Sequence, residues 1–68
     1  MNKEIMQDII SKVDGGVIVI NHIIITYDEV KLSDLSIQLN DYSIYIRYDA
    51  IEIVSYTNEY GQYITWRK

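Results

Sequence analysis

The chain has 68 residues, 49% of them hydrophobic, with no cysteine, no proline and a formal net charge of −4. A chain of this size makes one domain, 1–68, that no disulfide can stabilise, so an apolar strand set or self-association must do so. Its six basic residues are scattered, which excludes the clustered positive charge that sequence-independent phosphate-backbone binding relies on.

In chain order, the first expected element is an amphipathic helix over 3–13. Ile5, Met6, Ile9, Ile10 and Val13 fall on one stripe of it. Asn2 is a good N-cap, and Glu4 sits in the first turn, where the helix dipole favours it. Asp8 and Lys12 are spaced to pair on the polar side. Gly15-Gly16 reads as the helix stop with a left-handed cap. A phosphate loop would need its glycines before a helix rather than after one. The apolar stripe is expected to pack on a sheet.

Residues 17–27 are β-branched runs, forming either one long strand or a hairpin around Asn21-His22. His22, the one histidine, reads as a turn residue. Asp28-Glu29 turns the chain next, placing Tyr27 beside Val30 and Ile25 beside Leu32. The following strand, 30–39, carries one phase slip at Ser33-Asp34, which a β-bulge or sharp bend would absorb.

From 35 to 66 apolar and polar residues alternate with period two, through strands at about 42–48, 51–56 and 62–66. Two-residue turns at Asn40-Asp41 and Asp49-Ala50, and a loop over 57–60 followed by Gly61, give a consistent register. In it Leu39 faces Tyr42, Ile37 faces Ile44, Leu35 and Ile53 both face Ile46, and Arg47 faces Glu52. Ile53 then faces Ile64, and Ile51 faces Trp66. Ala50 disfavours the left-handed backbone of a type I′ turn, so a bulge or short 3₁₀ turn is the alternative there. The expected fold is α+β, mainly β: an N-terminal helix and a strongly curved five- or six-stranded antiparallel meander, small-barrel-like.

The outward half of this register holds the candidate site. Arg47 and Glu52 form a charged row, for which a solvated pair worth under about 1 kcal/mol is the ordinary reading. Ser36, Tyr45, Val54 and Tyr63 form a second row, with Tyr56 and Tyr60 towards its loop end. Tyrosine combines large apolar area with a polar tip, so this row is the expected protein-interaction surface unless the helix covers it.

No catalytic, metal or nucleotide motif is present, and the carboxylates fall in turns and at strand ends rather than converging. Neither enzyme activity nor a cofactor is expected. The longest apolar stretch, 17–27, is too short to span a bilayer, and no signal peptide is apparent, so a cytoplasmic location is expected. Isoleucine outnumbers leucine fourteen to three, a bias of AT-rich codons that points to a low-GC bacterium or its phage.

The functional expectation is a small acidic binding protein, a phage or mobile-element inhibitor that blocks a host defence protein, as an anti-CRISPR does. The partner would present a basic, nucleic-acid-binding surface, and the chain would form a homo-oligomer. The alternative is an Sm-like or OB-like oligomeric module for a small ligand or single-stranded nucleic acid. The helix-and-five-strand outline is shared with the Sm-like fold, but no Sm-type signature accompanies it, and outline alone carries no function. An assembly subunit joined edge to edge through its strands is a third reading.

Overall fold

A computed structural model of the chain describes residues 1–39 and 44–68, with the backbone alone at Ile44. The helix α1 spans Lys3–Lys12. Asn2 caps it: its Oδ1 accepts from the Ile5 amide at 2.8 Å. Lys12 Nζ donates to Asp8 Oδ2 at 3.0 Å, and that bond raises the Lys12 pKa. Met6 and Ile9 are buried, with Ile10 and Val13 packed against the same core, so four residues of the expected stripe face inward, while Ile5 lies at its edge and is exposed. The helix does not end on the glycines. Val13 leaves it with extended backbone, and Gly15-Gly16 lie within the first strand.

Seven strands follow among the described residues: β1 (Val13–Ile20), β2 (Ile23–Thr26), β3 (Lys31–Leu32), β4 (Ser36–Leu39), β5 (Ile44–Arg47), β6 (Ile53–Asn58) and β7 (Tyr63–Arg67). They form two antiparallel sheets, one of order β2-β1-β6-β7 and one of order β3-β4-β5. The fold is α+β and mainly strand, as expected. The single curved meander is not formed, because the chain crosses between sheets twice, and the sheets do not close into a barrel.

The stretch 17–27 resolves into a hairpin. Ile20 pairs with Ile23, and both turn residues have positive φ, 49° at Asn21 and 69° at His22, as a type I′ turn requires. The two crossings are 3₁₀ turns, Tyr27–Glu29 from β2 to β3 and Tyr48–Ala50 from β5 to β6. The second is the short 3₁₀ turn expected as the alternative at Asp49-Ala50. Consequently β2 does not pair with β3, nor β5 with β6. The expected contacts Ile25–Leu32, Ile46–Ile53 and Arg47–Glu52 are absent from the ladders.

Three further registers differ from expectation. The slip at Ser33-Asp34 is a chain reversal rather than a bulge: the Ser33 amide donates to the Ser36 carbonyl at 2.9 Å, and β3 pairs with β4. Leu35, expected in the core, sits in that turn and is exposed. Leu39 pairs with Ile44 and Ile37 with Ile46, two residues from the expected register. An even shift leaves each residue on its face. The Asn40-Asp41 turn and Tyr42 lie outside the described residues.

The β6–β7 register is displaced by an odd number, with Val54 opposite Trp66 and Tyr56 opposite Ile64. Here the loop is Glu59-Tyr60-Gly61. Asn58 Oδ1 accepts from the Tyr60 and Gln62 amides at 3.0 and 2.9 Å, and Gly61 takes φ 76°. A three-residue loop closed by a left-handed glycine turns β6 over relative to the expected pairing.

The core collects the inward residues of every layer: Met6 and Ile9 from α1, Ile18, Ile20, Ile25, Val54 and Tyr56 from the larger sheet, and Ile37 and Leu39 from the smaller. Tyr48 and Ile51 join them from the second crossing. Burying one such side chain contributes about 2 kcal/mol relative to leaving it in water.

Candidate functional site

The odd shift in β6 dismantles the expected tyrosine row. Val54 is wholly buried and Tyr56 is 7% exposed, so both are core residues rather than interaction residues. Tyr45 and Tyr63 remain exposed but belong to different sheets, Tyr45 opposite Gln38 on β5 and Tyr63 opposite Thr57 on β7. Tyr60 is exposed at the β6–β7 loop. Arg47 is held by Asp49, with Nε to Oδ1 at 3.2 Å and Nη2 to Oδ2 at 3.0 Å, and not by Glu52. The Glu52 backbone is a structural anchor instead. Its amide donates to Asn21 Oδ1 at 2.7 Å, and its carbonyl accepts from the Lys68 amide at 2.9 Å. The helix packs on the core side, so it covers neither exposed tyrosine.

A different surface takes their place. On the outer face of the four-stranded sheet, Ile24, Val19, Ser55 and Thr65 lie side by side across β2, β1, β6 and β7. The neighbouring row holds Thr26 and Val17 on one side and Thr57 and Tyr63 on the other. Asp14 on β1, opposite Thr57, and Tyr63 are the ionisable side chains of these two rows, and Arg67 on β7 stands beyond them. Ile24, Val17 and Tyr63 are exposed large hydrophobic residues, at 74%, 45% and 69%.

Between the two halves of the second row the ladder is interrupted. Asp14 pairs with Thr57 and Ile18 with Tyr56, so Gly15, Gly16 and Val17 form a wide bulge with no partner residues on β6. Gly15 and Gly16 adopt φ of 82° and 76°, which side-chain-bearing residues rarely adopt. A Cβ on Gly16 would meet Tyr27 Cε1 at 4.0 Å. The bulge opens a depression of about 250 Å³ lined by Asp14, Gly15, Val17, Val19, Ser55, Tyr56, Thr57 and Tyr63. That is below the roughly 300–1,000 Å³ of small-molecule pockets and suits one inserted side chain. The adjacent glycines after the helix were the one sequence signal for it.

A second depression, of about 220 Å³, lies between Met1, Leu35, Arg47 and Tyr48. Its charged groups are committed to local ion pairs, Lys3 with Asp34 at 3.3 Å and Arg47 with Asp49. His22 is exposed at its turn, as expected. Among the described residues no group of three or more His, Cys, Asp or Glu side chains is placed to hold a metal ion, and no helix is long and apolar enough to cross a membrane. No family model, curated protein or solved structure matches the chain.

Proposed function

We propose that the chain is a non-enzymatic protein-binding domain that covers a partner's surface with the outer face of its four-stranded sheet. One observation carries this reading: a face whose one carboxylate is Asp14 presents Ile24, Val17 and Tyr63 to solvent around a depression sized for a single side chain. A large aromatic beside a small apolar socket is the usual anatomy of an interface hot spot. Exposed apolar area gathered on one face, rimmed by polar groups, marks interaction surfaces in soluble proteins. The exposed hydroxyls of Thr57 and Thr65 supply orientation without charge, while Ser55 is buried, its Oγ 3.4 Å from Thr65 Oγ1.

In this reading an apolar partner side chain enters the depression against Tyr63. Ten carboxylates against six cations favour a partner that is basic around that anchor. The proposed setting is inhibition by occlusion of a host protein by a phage- or mobile-element-encoded chain. Among the described residues Asp14 is the one carboxylate lining this depression, with no second acid or base beside it there.

The test uses the intact chain carrying a photo-crosslinking amino acid at Thr57. Crosslinked partner should be recovered, and Tyr63→Ala or Val17→Asp should lower its recovery at least about tenfold. Tyr45→Ala, on the other sheet, should leave it unchanged. Loss with Tyr45→Ala alone would move the interface to the three-stranded sheet and end this reading. Labelled single-stranded oligonucleotides at low salt are expected not to bind, since base stacking on tyrosine works together with a cationic groove. Tight binding to them would replace protein recognition by the alternative module.

A further inference from the structure

The two sheets have four edge strands among the described residues: β2 and β7 on one, β3 and β5 on the other. An open edge presents unpaired amides and carbonyls, and natural proteins guard such edges with charges, prolines or bulges. Three of the four carry a cation, Lys31 on β3, Arg47 on β5 and Arg67 on β7. β2 reads Ile-Ile-Ile-Thr, with no charge, no proline and a regular register along its whole length. Ile23, Ile24 and Thr26 are exposed on it.

We propose that β2 is a self-association edge, along which two copies of the chain pair antiparallel about a two-fold axis. This inference rests on the backbone of the β2 edge, whereas the partner-binding reading rests on side chains of the sheet face, to which Ile24 and Thr26 also belong. In a two-residue hairpin Ile20 and Ile23 exchange both ladder bonds, and so do Ile18 and Ile25. The alternation then turns the amides and carbonyls of Ile24 and Thr26 towards the open edge. Setting Ile24 of one copy opposite Thr26 of the other uses all of these groups, and the two-fold repeats the same bonds. The side chains brought together are aliphatic or hydroxyl. Further along, His22 of one copy lies towards Asp28 of the other, so no like charges meet.

The product is a continuous eight-stranded sheet. It places the two outer faces, each with its own depression, on one surface. Four residues of strand bury well under the roughly 800 Å² per partner of a stable complex, so the dissociation constant is expected on the order of 10⁻⁴ M.

Sedimentation of the full chain from about 10 μM to about 1 mM checks this. The weight-average mass should rise with concentration towards twice 8.0 kDa. Thr26→Pro is the decisive variant. Thr26 already has φ −73° and ψ 118°, so proline fits the monomer and removes only the outward amide. It should weaken association at least about tenfold with an unchanged melting temperature. Ile24→Lys, which guards the edge as the other three are guarded, should do the same. Amide exchange at Ile24 and Thr26 should slow as concentration rises. A wild-type chain that stays monomeric at about 1 mM, or a folded Thr26→Pro variant that associates as strongly as wild type, overturns the proposal. So does concentration-dependent protection on β7 in place of β2.

Discussion

Asn21 joins two parts of the fold that lie far apart in the chain. Its backbone occupies φ 49° in the β1–β2 turn, while its side chain reaches across the fold. Nδ2 donates to the Ala50 carbonyl at 2.9 Å, and Oδ1 accepts from the Glu52 and Ile53 amides at 2.7 and 3.3 Å. Its own amide donates to the Ile53 carbonyl at 2.9 Å. One residue thereby fastens the hairpin tip to the second crossing. Asn21→Ala forfeits the side-chain bonds and places alanine in the left-handed region, so a loss of about 2–4 kcal/mol is expected by urea unfolding. Asn21→Gly keeps the backbone comfortable and should lose less. His22, next door at φ 69°, makes no bond that the turn needs. His22→Gly should raise stability by about 0.5–1 kcal/mol, read as a higher thermal midpoint.

At the scale of elements, the two crossings are versions of one device. Thr26-Tyr27-Asp28-Glu29-Val30 and Arg47-Tyr48-Asp49-Ala50-Ile51 each run strand, tyrosine, aspartate, one residue, aliphatic, strand. Each closes with an amide-to-carbonyl bond of 3.2 Å, from Val30 to Tyr27 and from Ile51 to Tyr48. A 3₁₀ turn lets the aliphatic residue swing into the core while the chain changes sheets; Ile51 is wholly buried. Tyr48 is also buried and donates to the Ser33 carbonyl at 2.7 Å. Burial, with Asp34 adding to it, raises its pKa. Because the folded value lies above the unfolded one near 10, this contribution is complete below about pH 10 and is lost as pH climbs through the folded value. Tyr48→Phe should therefore be less stable than wild type near neutrality and lose less on going to about pH 11. Urea midpoints at the two pH values check this.

Elements with local causes were legible in the sequence. The helix, its Asn2 cap and its Asp8–Lys12 pair follow from residues three or four apart, and a hairpin around Asn21-His22 was one of two readings of 17–27. Pairing was not legible where it depended on loop length. Alternation in 51–66 is compatible with either face of β6 turned inward. Only Gly61, closing a three-residue loop, decides that Val54 and Tyr56 go in and Thr57 goes out. Likewise Ser33–Ser36 has such short arms that a reversal looks like a bulge. The candidate tyrosine row failed for this reason, while Tyr63 survived because β7 kept Ile64 and Trp66 inward.

For the whole molecule, the core gathers side chains from both sheets and the helix in a body 31 × 24 × 20 Å across. The larger sheet turns one face to this core and leaves Val17, Ile24 and Tyr63 of the other exposed. The Asn21 fastening then has a kinetic consequence. α1, the β1–β2 hairpin and the β6–β7 hairpin can each begin from neighbouring residues, but joining β1 to β6 means bringing together segments such as Asn21 and Glu52, 31 positions apart. That closure is expected to be the slow step, because loop entropy is spent before the non-local contacts respond. Everything between the two segments, including the whole three-stranded sheet, is the loop being closed. Shortening or stiffening that insert should therefore speed folding while leaving unfolding nearly unchanged, so the middle of the chain sets how fast its two ends find each other.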